Sequence, residues 1–343
     1  MKTLAYGFPR LGEKREFKSF LEDFWKDKLS EEGLIEGMKG LRGWMTSLYS
    51  EHVDLYPSGD LSYYDFMLDM AITLGAVPKR FEEYKGLETY FQMARGEQAL
   101  EMTKYFNTNY HYLVPELEGK EFKPIKNIPL EEYQLLKDMG YSPVPKLIAP
   151  YTFLRLSKIL KIYPAFYIPF YEPKKINTRE EMEDYLDAIF PAYEGLLRSL
   201  SSAKVVLLED PALCLDMEDW EWDLVEELYK GLSKHMDLYV LTYYDSVSDY
   251  ERFISLPVKG LGLDLVSNKE NLEKIRKYGF PKDKALIAGL INGRNVWRSN
   301  LKEKLRLIED LSKTTDNLIL SNSCPLFHLP VSVDPEDSLP EGL

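Results

Sequence analysis

The sequence predicts an α/β protein built as a (β/α)8 TIM barrel, a single domain with loop insertions. Short apolar strands alternate with amphipathic helical stretches along the 343 residues. Several strands lack polar–apolar alternation, which is typical of parallel strands buried on both faces. No G-x-G-x-x-G follows the first strand, so a doubly wound open sheet is disfavoured. The length suits a barrel of roughly 250 residues plus insertions.

Nine segments have strand-like composition, one more than a barrel needs. They are 3–7, 53–57, 110–115, 145–150, 204–210, 237–245, 260–267, 285–291 and 317–323. One is therefore expected outside the barrel. The irregular spacing around 110–115 favours that segment but does not decide the choice.

Helices are predicted between the strands from apolar residues that recur at the spacing of one helical face. After the first strand these residues are Phe17, Phe20, Leu21, Phe24 and Trp25. Residues 219–234 and 271–279 show a similar pattern. The second of these helices is expected to end at Gly279, and Pro281 prevents its continuation.

Two Pro- and Lys-rich segments, 118–129 and 161–181, are predicted as connecting loops or insertions because strand–helix alternation resumes after each. The final residues are acidic, Pro-rich and aperiodic. We therefore predict one barrel over 1–330, and over 331–343 either the beginning of an interdomain linker or a C-terminal tail.

Composition excludes several classes of partner. The net charge of −13 argues against nucleic acid, because phosphate binding needs a basic face. No apolar run approaches the roughly 20 residues that span a bilayer, and the N-terminus lacks the apolar region of a signal peptide. Two cysteines do not make a disulfide framework. We expect a cytoplasmic protein that binds neither membrane nor nucleic acid.

Polar residues gather at the predicted C-terminal strand ends, where barrel enzymes carry their chemistry. They are Glu209, Asp210, Tyr243, Tyr244, Asp245, Asp264, Ser267, Asn292, Arg294, Asn322, Ser323 and Cys324. Any one of them could simply cap a following helix. Their accumulation favours a mouth that faces a ligand.

Lys14, Arg15 and Lys18 follow the first strand and so belong to the same mouth. If the helix starts near Glu13, Lys14 and Lys18 share one helical face. The helix N-terminus would add partial positive charge suited to carboxylates or phosphates. From charge alone, however, the favoured interpretation is a solvated first turn in which Glu13 and Glu16 neutralise the lysines.

No catalytic residue and no metal ligand is predicted. The four histidines lack metal-binding spacing. Cys324 and His328 are four positions apart, but in a Pro-containing stretch that is not expected to be helical. Residues 104–117 are dense in Asn and Tyr, which would suit either a heteroaromatic ligand or a buried loop. The residues alone do not decide between these two.

Five motifs, in the same order, resemble the N-terminal half of cobalamin-independent methionine synthase. They are "GFPRLGEKREFK", "SYYDFMLDMAITLGAVPKRF", "MTKYFNTNYHYLVPEL", "LTYYDSVSDY" and "SNSCPLFHLPV". The resemblance runs from Gly7 to about the end of the chain. It implies one of two face-to-face barrels that transfer a methyl group from 5-methyltetrahydropteroyltriglutamate to homocysteine, held as a zinc-bound thiolate.

The resemblance implies that zinc and homocysteine bind to the C-terminal barrel. At the strand end that would correspond to its ligands this chain has Tyr243, Tyr244 and Asp245, and only Cys324 stands in a position like that of a zinc-binding cysteine. One cysteine cannot supply the three or four protein ligands that zinc needs. We therefore expect no cofactor bound by this chain, zinc in a partner barrel, and no activity of this chain alone.

The resemblance also reverses the interpretation of the basic cluster. It implies that Lys14, Arg15, Glu16 and Phe17, together with Lys104, hold the polyglutamate tail of the folate, and Lys18 lies close enough to contribute. Lysines, an arginine fork and a helix N-terminus suit a flexible polyanion.

The expected function is the folate-polyglutamate-binding, non-zinc half of a methionine synthase. It would assist methyl transfer at a zinc-bearing barrel supplied in cis or in trans, so the chain would be either a truncated form or one product of a split gene. Two alternatives stay open. One is a purely structural docking partner of a catalytic subunit, and the other is a methyltransferase that uses another methyl carrier, such as a corrinoid protein.

Overall fold

The structure, a computed structural model, describes residues 1–163, 170–332 and 334. The predicted linker or tail over 331–343 therefore lies mostly outside the described residues, as does the middle of the predicted insertion over 161–181.

Thirteen strands occur in the described ranges. They are β1 (Lys2–Leu4), β2 (Pro57–Ser58), β3 (Met102–Lys104), β4 (His111–Leu113), β5 (Glu116–Leu117), β6 (Val144–Ile148), β7 (Lys158–Tyr163), β8 (Phe170–Lys175), β9 (Val206–Glu209), β10 (Leu238–Leu241), β11 (Gly260–Asp264), β12 (Ala285–Ile291) and β13 (Leu318–Asn322).

Eleven α-helices occur in the same part of the chain. They are α1 (Glu16–Trp25), α2 (Glu31–His52), α3 (Phe66–Leu74), α4 (Leu87–Arg95), α5 (Ile128–Asp138), α6 (Pro150–Arg155), α7 (Arg179–Ser199), α8 (Asp219–Leu232), α9 (Tyr250–Ser255), α10 (Glu270–Tyr278) and α11 (Leu301–Leu311). Across the described ranges, no helix combines the length and apolarity needed to cross a bilayer.

Eight parallel strands form one curled sheet in the order β1-β13-β12-β11-β10-β9-β6-β2. The two ends of this order meet just before β2, where Ala5 N donates to Leu55 O (3.2 Å) and Leu55 N donates to Thr3 O (2.9 Å). The predicted (β/α)8 barrel is therefore confirmed. The strands on both sides of β10 are buried, which explains their unbroken apolar composition.

The segment 110–115 is the strand that lies outside the barrel. Its residues 111–113 form β4, which pairs antiparallel with β3 in a hairpin that sets Lys104 opposite His111. The predicted insertion over 161–181 contains the end of β7 and all of β8, and it ends in the first turn of α7. Strand β7 pairs antiparallel with β8, and β5 joins them as a third strand.

The first helix begins later than Glu13, the start that would place Lys14 and Lys18 on one helical face. Helix α1 starts at Glu16, and Arg15 before it has a left-handed backbone (φ 62°). The turn ahead of it is fixed because Glu16 Oε2 accepts from Lys14 N at 2.9 Å, beside Gly12 at φ 79°. Lys14 thus precedes the helix. The condition for a helical face shared by Lys14 and Lys18 is not met.

The apolar stripe of α1 is confirmed. Phe17 and Leu21 are buried, and Phe20, Phe24 and Trp25 pack partly buried against the same core cluster, which lies under α1, α2 and α4. A larger cluster fills the space between the sheet and the other helices. Helix α10 ends as predicted, with Gly279 after it at φ 78°.

Candidate functional site

The C-terminal end of the barrel, called here the mouth, is assembled from segments distant in sequence. The loop after β1 bonds to the end of β13, where Tyr6 N donates to Asn322 Oδ1 at 3.2 Å. The loop after β12 reaches the β3–β4 hairpin, where Arg294 donates to Asn107 Oδ1 (3.1 Å) and to its carbonyl oxygen (3.0 Å). The mouth is therefore cross-linked by polar contacts.

A buried lysine lies beneath the mouth between two carboxylates. Lys146 Nζ is 2.8 Å from Asp60 Oδ1 and 3.3 Å from Glu209 Oε2, and all three side chains are at most 8% exposed. Burial alone would lower the pKa of Lys146, but the two carboxylates hold it above its usual value. Burial raises the pKa of Glu209 against the opposing charge of Lys146. The ammonium of Lys146 offsets one of the two carboxylate charges, so the triad carries one net negative charge when all three groups are ionised.

Asp60 also fixes the turn that opens the basic segment. Its Oδ2 accepts from Gly7 N (2.7 Å), Phe8 N (3.0 Å) and the Tyr49 hydroxyl (2.7 Å). Gly7 has φ 74°, and a Cβ there would lie 2.4 Å from Pro325 Cβ. Only glycine fits both the backbone angle and the close approach.

Aromatic side chains fill the centre of the mouth. The hydroxyls of Tyr105 and Tyr243 are 3.2 Å apart, and both residues are buried. Tyr244 OH is 2.7 Å from His328 Nε2. Burial and, to a lesser extent, the charge of Arg294 lower the pKa of His328 to about 4, so the imidazole is neutral at pH 7. Tyr105 thus follows the buried-loop interpretation of the Asn- and Tyr-rich segment 104–117.

Arg10 joins the basic segment to the hairpin. Its guanidinium carbon lies 5.4 Å from the centre of the Phe17 ring and 5.0 Å from that of Tyr110. It also donates to Tyr64 O at 2.6 Å. Tyr105 N donates to Tyr110 O (2.8 Å), and Lys104 immediately precedes Tyr105 in the hairpin. The start of α1 and the Lys104 hairpin are therefore neighbours.

The six predicted tail-binding residues differ in their surroundings. Lys14, Arg15, Lys18 and Lys104 are exposed. Lys18 Nζ is 3.6 Å from Glu22 Oε1, whereas Lys14 and Lys104 have no ion-pair partner in the part of the chain that the structure describes. Glu16 holds the turn through its bond to Lys14 N. Phe17 is 6% exposed, so its side chain supports Arg10 from below.

Several polar strand ends are satisfied internally. Asp210 accepts from Thr152 N (3.1 Å) and from the Tyr229 hydroxyl (2.7 Å), and burial raises its pKa to about 6. Asp264 accepts from Ser267 N (2.8 Å) and so fixes its own loop. These residues follow the plainer structural interpretation. Arg294 remains exposed at the rim.

The side chains that resemble metal ligands are dispersed. Burial raises the pKa of the Cys324 thiol to about 12, so it stays protonated at pH 7. His328 is engaged by Tyr244. Among the described residues, no three His, Cys, Asp or Glu side chains are grouped closely enough to hold a metal ion.

Four residues that organise the mouth were not predicted from the sequence. Asp60 and Lys146 lie beneath the mouth, and Arg10 and Asp65 connect its segments. Asp65 accepts from the Tyr110 hydroxyl (2.7 Å) and from Leu68 N (3.0 Å), which ties the hairpin to the first turn of α3. One signal was available for Lys146, a charge inside the apolar strand "PKLIAP". Nothing local marks the other three.

Together these features define a (β/α)8-barrel domain with an aromatic-filled mouth and a basic rim. A family model described as "Cobalamin-independent synthase, N-terminal domain" matches residues 2–316. The chain belongs to this family, as its N-terminal domain. The resemblance read from the five motifs is therefore confirmed.

Several relatives cover the whole chain. Proteins named 5-methyltetrahydropteroyltriglutamate–homocysteine methyltransferase from Thermotoga petrophila and Thermotoga maritima are 49% and 50% identical to it over 345 residues. A protein of the same name from Thermodesulfovibrio yellowstonii is 43% identical over 98% of the chain. The chain spans only 44–45% of the length of these relatives, so each of them contains a further region.

Two solved structures share the fold. One is described as a vitamin-B12-independent methionine synthase from Listeria monocytogenes (TM-score 0.59, 14% identity, 91% of this chain and 87% of that one). The other is a methyltransferase from Methanosarcina mazei (TM-score 0.52, 10% identity, 84% and 82%). At these identities the likeness concerns the barrel alone.

Proposed function

We propose that this chain binds the polyglutamate tail of a methylated folate at the rim of its mouth and presents it to a separate zinc-bearing barrel. That barrel, in cis or in trans, would transfer the methyl group to homocysteine. The carrying observation is that Lys14 and Lys104 are exposed, lack ion-pair partners among the described residues, and stand on two segments joined by Arg10.

The chemistry of the tail matches this rim. Each glutamate adds a carboxylate, so a triglutamate is a flexible polyanion. The rim of this acidic protein offers the ammonium and guanidinium groups of Lys14, Arg15, Lys18 and Lys104. Such a local cluster matters because salt at about 0.1 M screens exposed charges that are more than about 10 Å apart. The Thermotoga relatives are named for a triglutamate donor.

Zinc and catalysis belong to the partner in this proposal. The buried, protonated Cys324 and the engaged His328 do not resemble a thiolate site. The chain contributes by holding the donor close to the acceptor, a substantial part of the task in a two-substrate reaction. We propose residues 1–330 as the barrel and 331–343 as the connection or tail.

The binding test is calorimetric titration with 5-methyltetrahydropteroyltriglutamate and with its monoglutamate. We expect the triglutamate to bind at least about tenfold more tightly, and Lys14→Ala and Lys104→Ala each to weaken it and flatten its salt dependence. Lys282→Ala is the matched control, because Lys282 is exposed at the opposite end of the barrel. Unchanged affinity in both rim variants would remove the tail-binding role.

A second function, docking on the catalytic barrel without binding a ligand, is favoured by one observation. Val296, Trp297, Leu301 and Leu305 are 59–65% exposed beside the mouth, although Leu311 near the end of the same helix is buried. Exposed apolar groups in such density are typical of an interface. Methionine formation by the zinc barrel with and without this chain tests both functions, and equal rates would exclude any assisting role.

A further inference from the structure

A cavity of about 750 Å³ opens on the flank of the barrel between α2, α3, α4 and α5. Its volume lies in the range of about 300–1,000 Å³ that small-molecule sites occupy. None of the six predicted tail-binding residues lines it. It is a separate feature that the proposed function does not use.

The walls of this flank cavity are apolar and partly flat. Ile35 of α2, Ile72 of α3 and Leu135 of α5 supply aliphatic surface, while Phe81 and Tyr84 add aromatic rings from the segment before α4. Aromatic walls favour a planar ligand and, through their negatively polarised faces, a cationic one.

Three ionisable groups meet at the floor of the cavity. Arg42 Nε is 2.7 Å from Glu132 Oε2, and both side chains are mostly buried. Arg42 is held in place because its Nη2 donates to Leu61 O at 3.1 Å. The third group is Asp69, whose Oδ1 accepts from the Tyr90 hydroxyl at 2.7 Å.

The floor carries more negative than positive charge when it is fully ionised, with two carboxylates and one guanidinium. Burial raises the pKa of Asp69 to about 7, and it raises the pKa of Glu132 against the opposing charge of Arg42. Asp65, nearby, raises the pKa of Asp69 slightly further. The charges at the rim of the cavity are balanced, so the rim favours neither an anionic nor a cationic ligand. Its three lysines and three glutamates are Lys39, Lys85, Lys126, Glu31, Glu82 and Glu131.

We propose that the flank cavity binds a small planar aromatic molecule that carries a cationic, N–H-rich group, such as an amidine or a protonated amino-heterocycle. The ring lies between the apolar walls, and the N–H groups donate to Asp69 and Glu132. The ligand supplies the positive charge that the floor lacks. A carboxylate paired with such a fork gains two charge-assisted hydrogen bonds.

Three probes of nearly identical shape test this proposal on the whole chain: benzamidine, benzamide and benzoate. We expect benzamidine to bind by calorimetry at pH 8 with a Kd on the order of 0.1–1 mM, as its small size allows. Benzamide should bind at least about tenfold more weakly and benzoate more weakly still. Equal or stronger binding of benzamide or benzoate would overturn the proposal.

Variants locate the site. Asp69→Asn keeps an acceptor for Tyr90 and should weaken benzamidine at least about tenfold while leaving benzamide unchanged. Val77→Trp, which fills the cavity from its wall, should weaken both probes. Glu131→Gln, one position from Glu132 but on the rim, is the matched control and should change little. Benzamidine affinity that is unchanged by Asp69→Asn or by Val77→Trp would refute the assignment.

Discussion

Arg294 donates two hydrogen bonds to Asn107, to its side-chain oxygen at 3.1 Å and to its carbonyl oxygen at 3.0 Å, across 187 positions of sequence. Its guanidinium also lies 5.5 Å from the ring centre of Tyr244. Asn107 is three residues beyond Lys104, and Phe106 between them has a left-handed backbone (φ 53°). Arg294 therefore fixes the hairpin turn that follows Lys104.

We expect Arg294→Ala to loosen this turn and to weaken triglutamate binding about three- to tenfold. Faster amide hydrogen exchange over 105–110 would report the loosening directly. Arg294→Lys keeps the charge but not the two-pronged contact, so it separates position from charge. Full recovery of both exchange protection and affinity in Arg294→Lys would show that charge alone matters.

Lys146→Met should destabilise the protein by about 3–5 kcal/mol, because it leaves Asp60 and Glu209 as uncompensated buried charges. Chemical denaturation measures the free energy of unfolding. Adding Asp60→Asn and Glu209→Gln to this variant should restore part of the loss. A triple variant no more stable than Lys146→Met would mean that packing, rather than charge, dominates there.

Asp69 predicts a pH-dependent stability. Its pKa is about 7 in the folded state and about 3.8 when exposed, so the folded protein binds the proton more tightly. The contribution of protonated Asp69 to the free energy of unfolding is fully present below about pH 4 and is lost as the pH rises to about 7. Asp69→Asn should therefore be more stable than the parent at pH 8, by up to about 4 kcal/mol, and the difference should vanish near pH 4. A difference independent of pH would contradict this assignment.

Alanine substitutions at two kinds of glycine position are expected to change the stability of the protein in opposite directions. Gly7→Ala should destabilise by about 2 kcal/mol or more, because of its φ of 74° and its contact with Pro325. Gly40→Ala and Gly195→Ala lie in exposed helix positions with nothing within 4 Å, and should stabilise by about 0.5–1 kcal/mol each. Thermal unfolding distinguishes them, and a neutral Gly7→Ala would show that the turn can relax.

Local patterns predicted the elements well. The stripe from Phe17 to Trp25 identified α1, and the end at Gly279 identified the end of α10, because both signals come from neighbours in sequence. The start of α1 was missed because the contact that delays it joins Glu16 to the backbone of Lys14. Charge spacing does not encode such a turn.

The polar strand ends were correctly found as a group, since all parallel strands end at one side of a barrel. Their individual roles were not. Asp210 and Asp264 are held by their own surroundings. The mouth is instead organised by Asp60, which no local pattern marks, and by Lys146, whose only signal is a charge within an apolar strand. The basic residues at 14–18 and 104 remain a predicted tail site.

The sequence by itself determined the barrel, most of its helices and the family, because periodicity and motif order are properties of neighbouring residues. Only the tertiary structure decided that 111–113 leaves the barrel, that Lys146 is buried between Asp60 and Glu209, and that Arg294 reaches Asn107. These contacts exist because closing the sheet brings distant strand ends together. The charge of a buried group depends on what that closure places beside it.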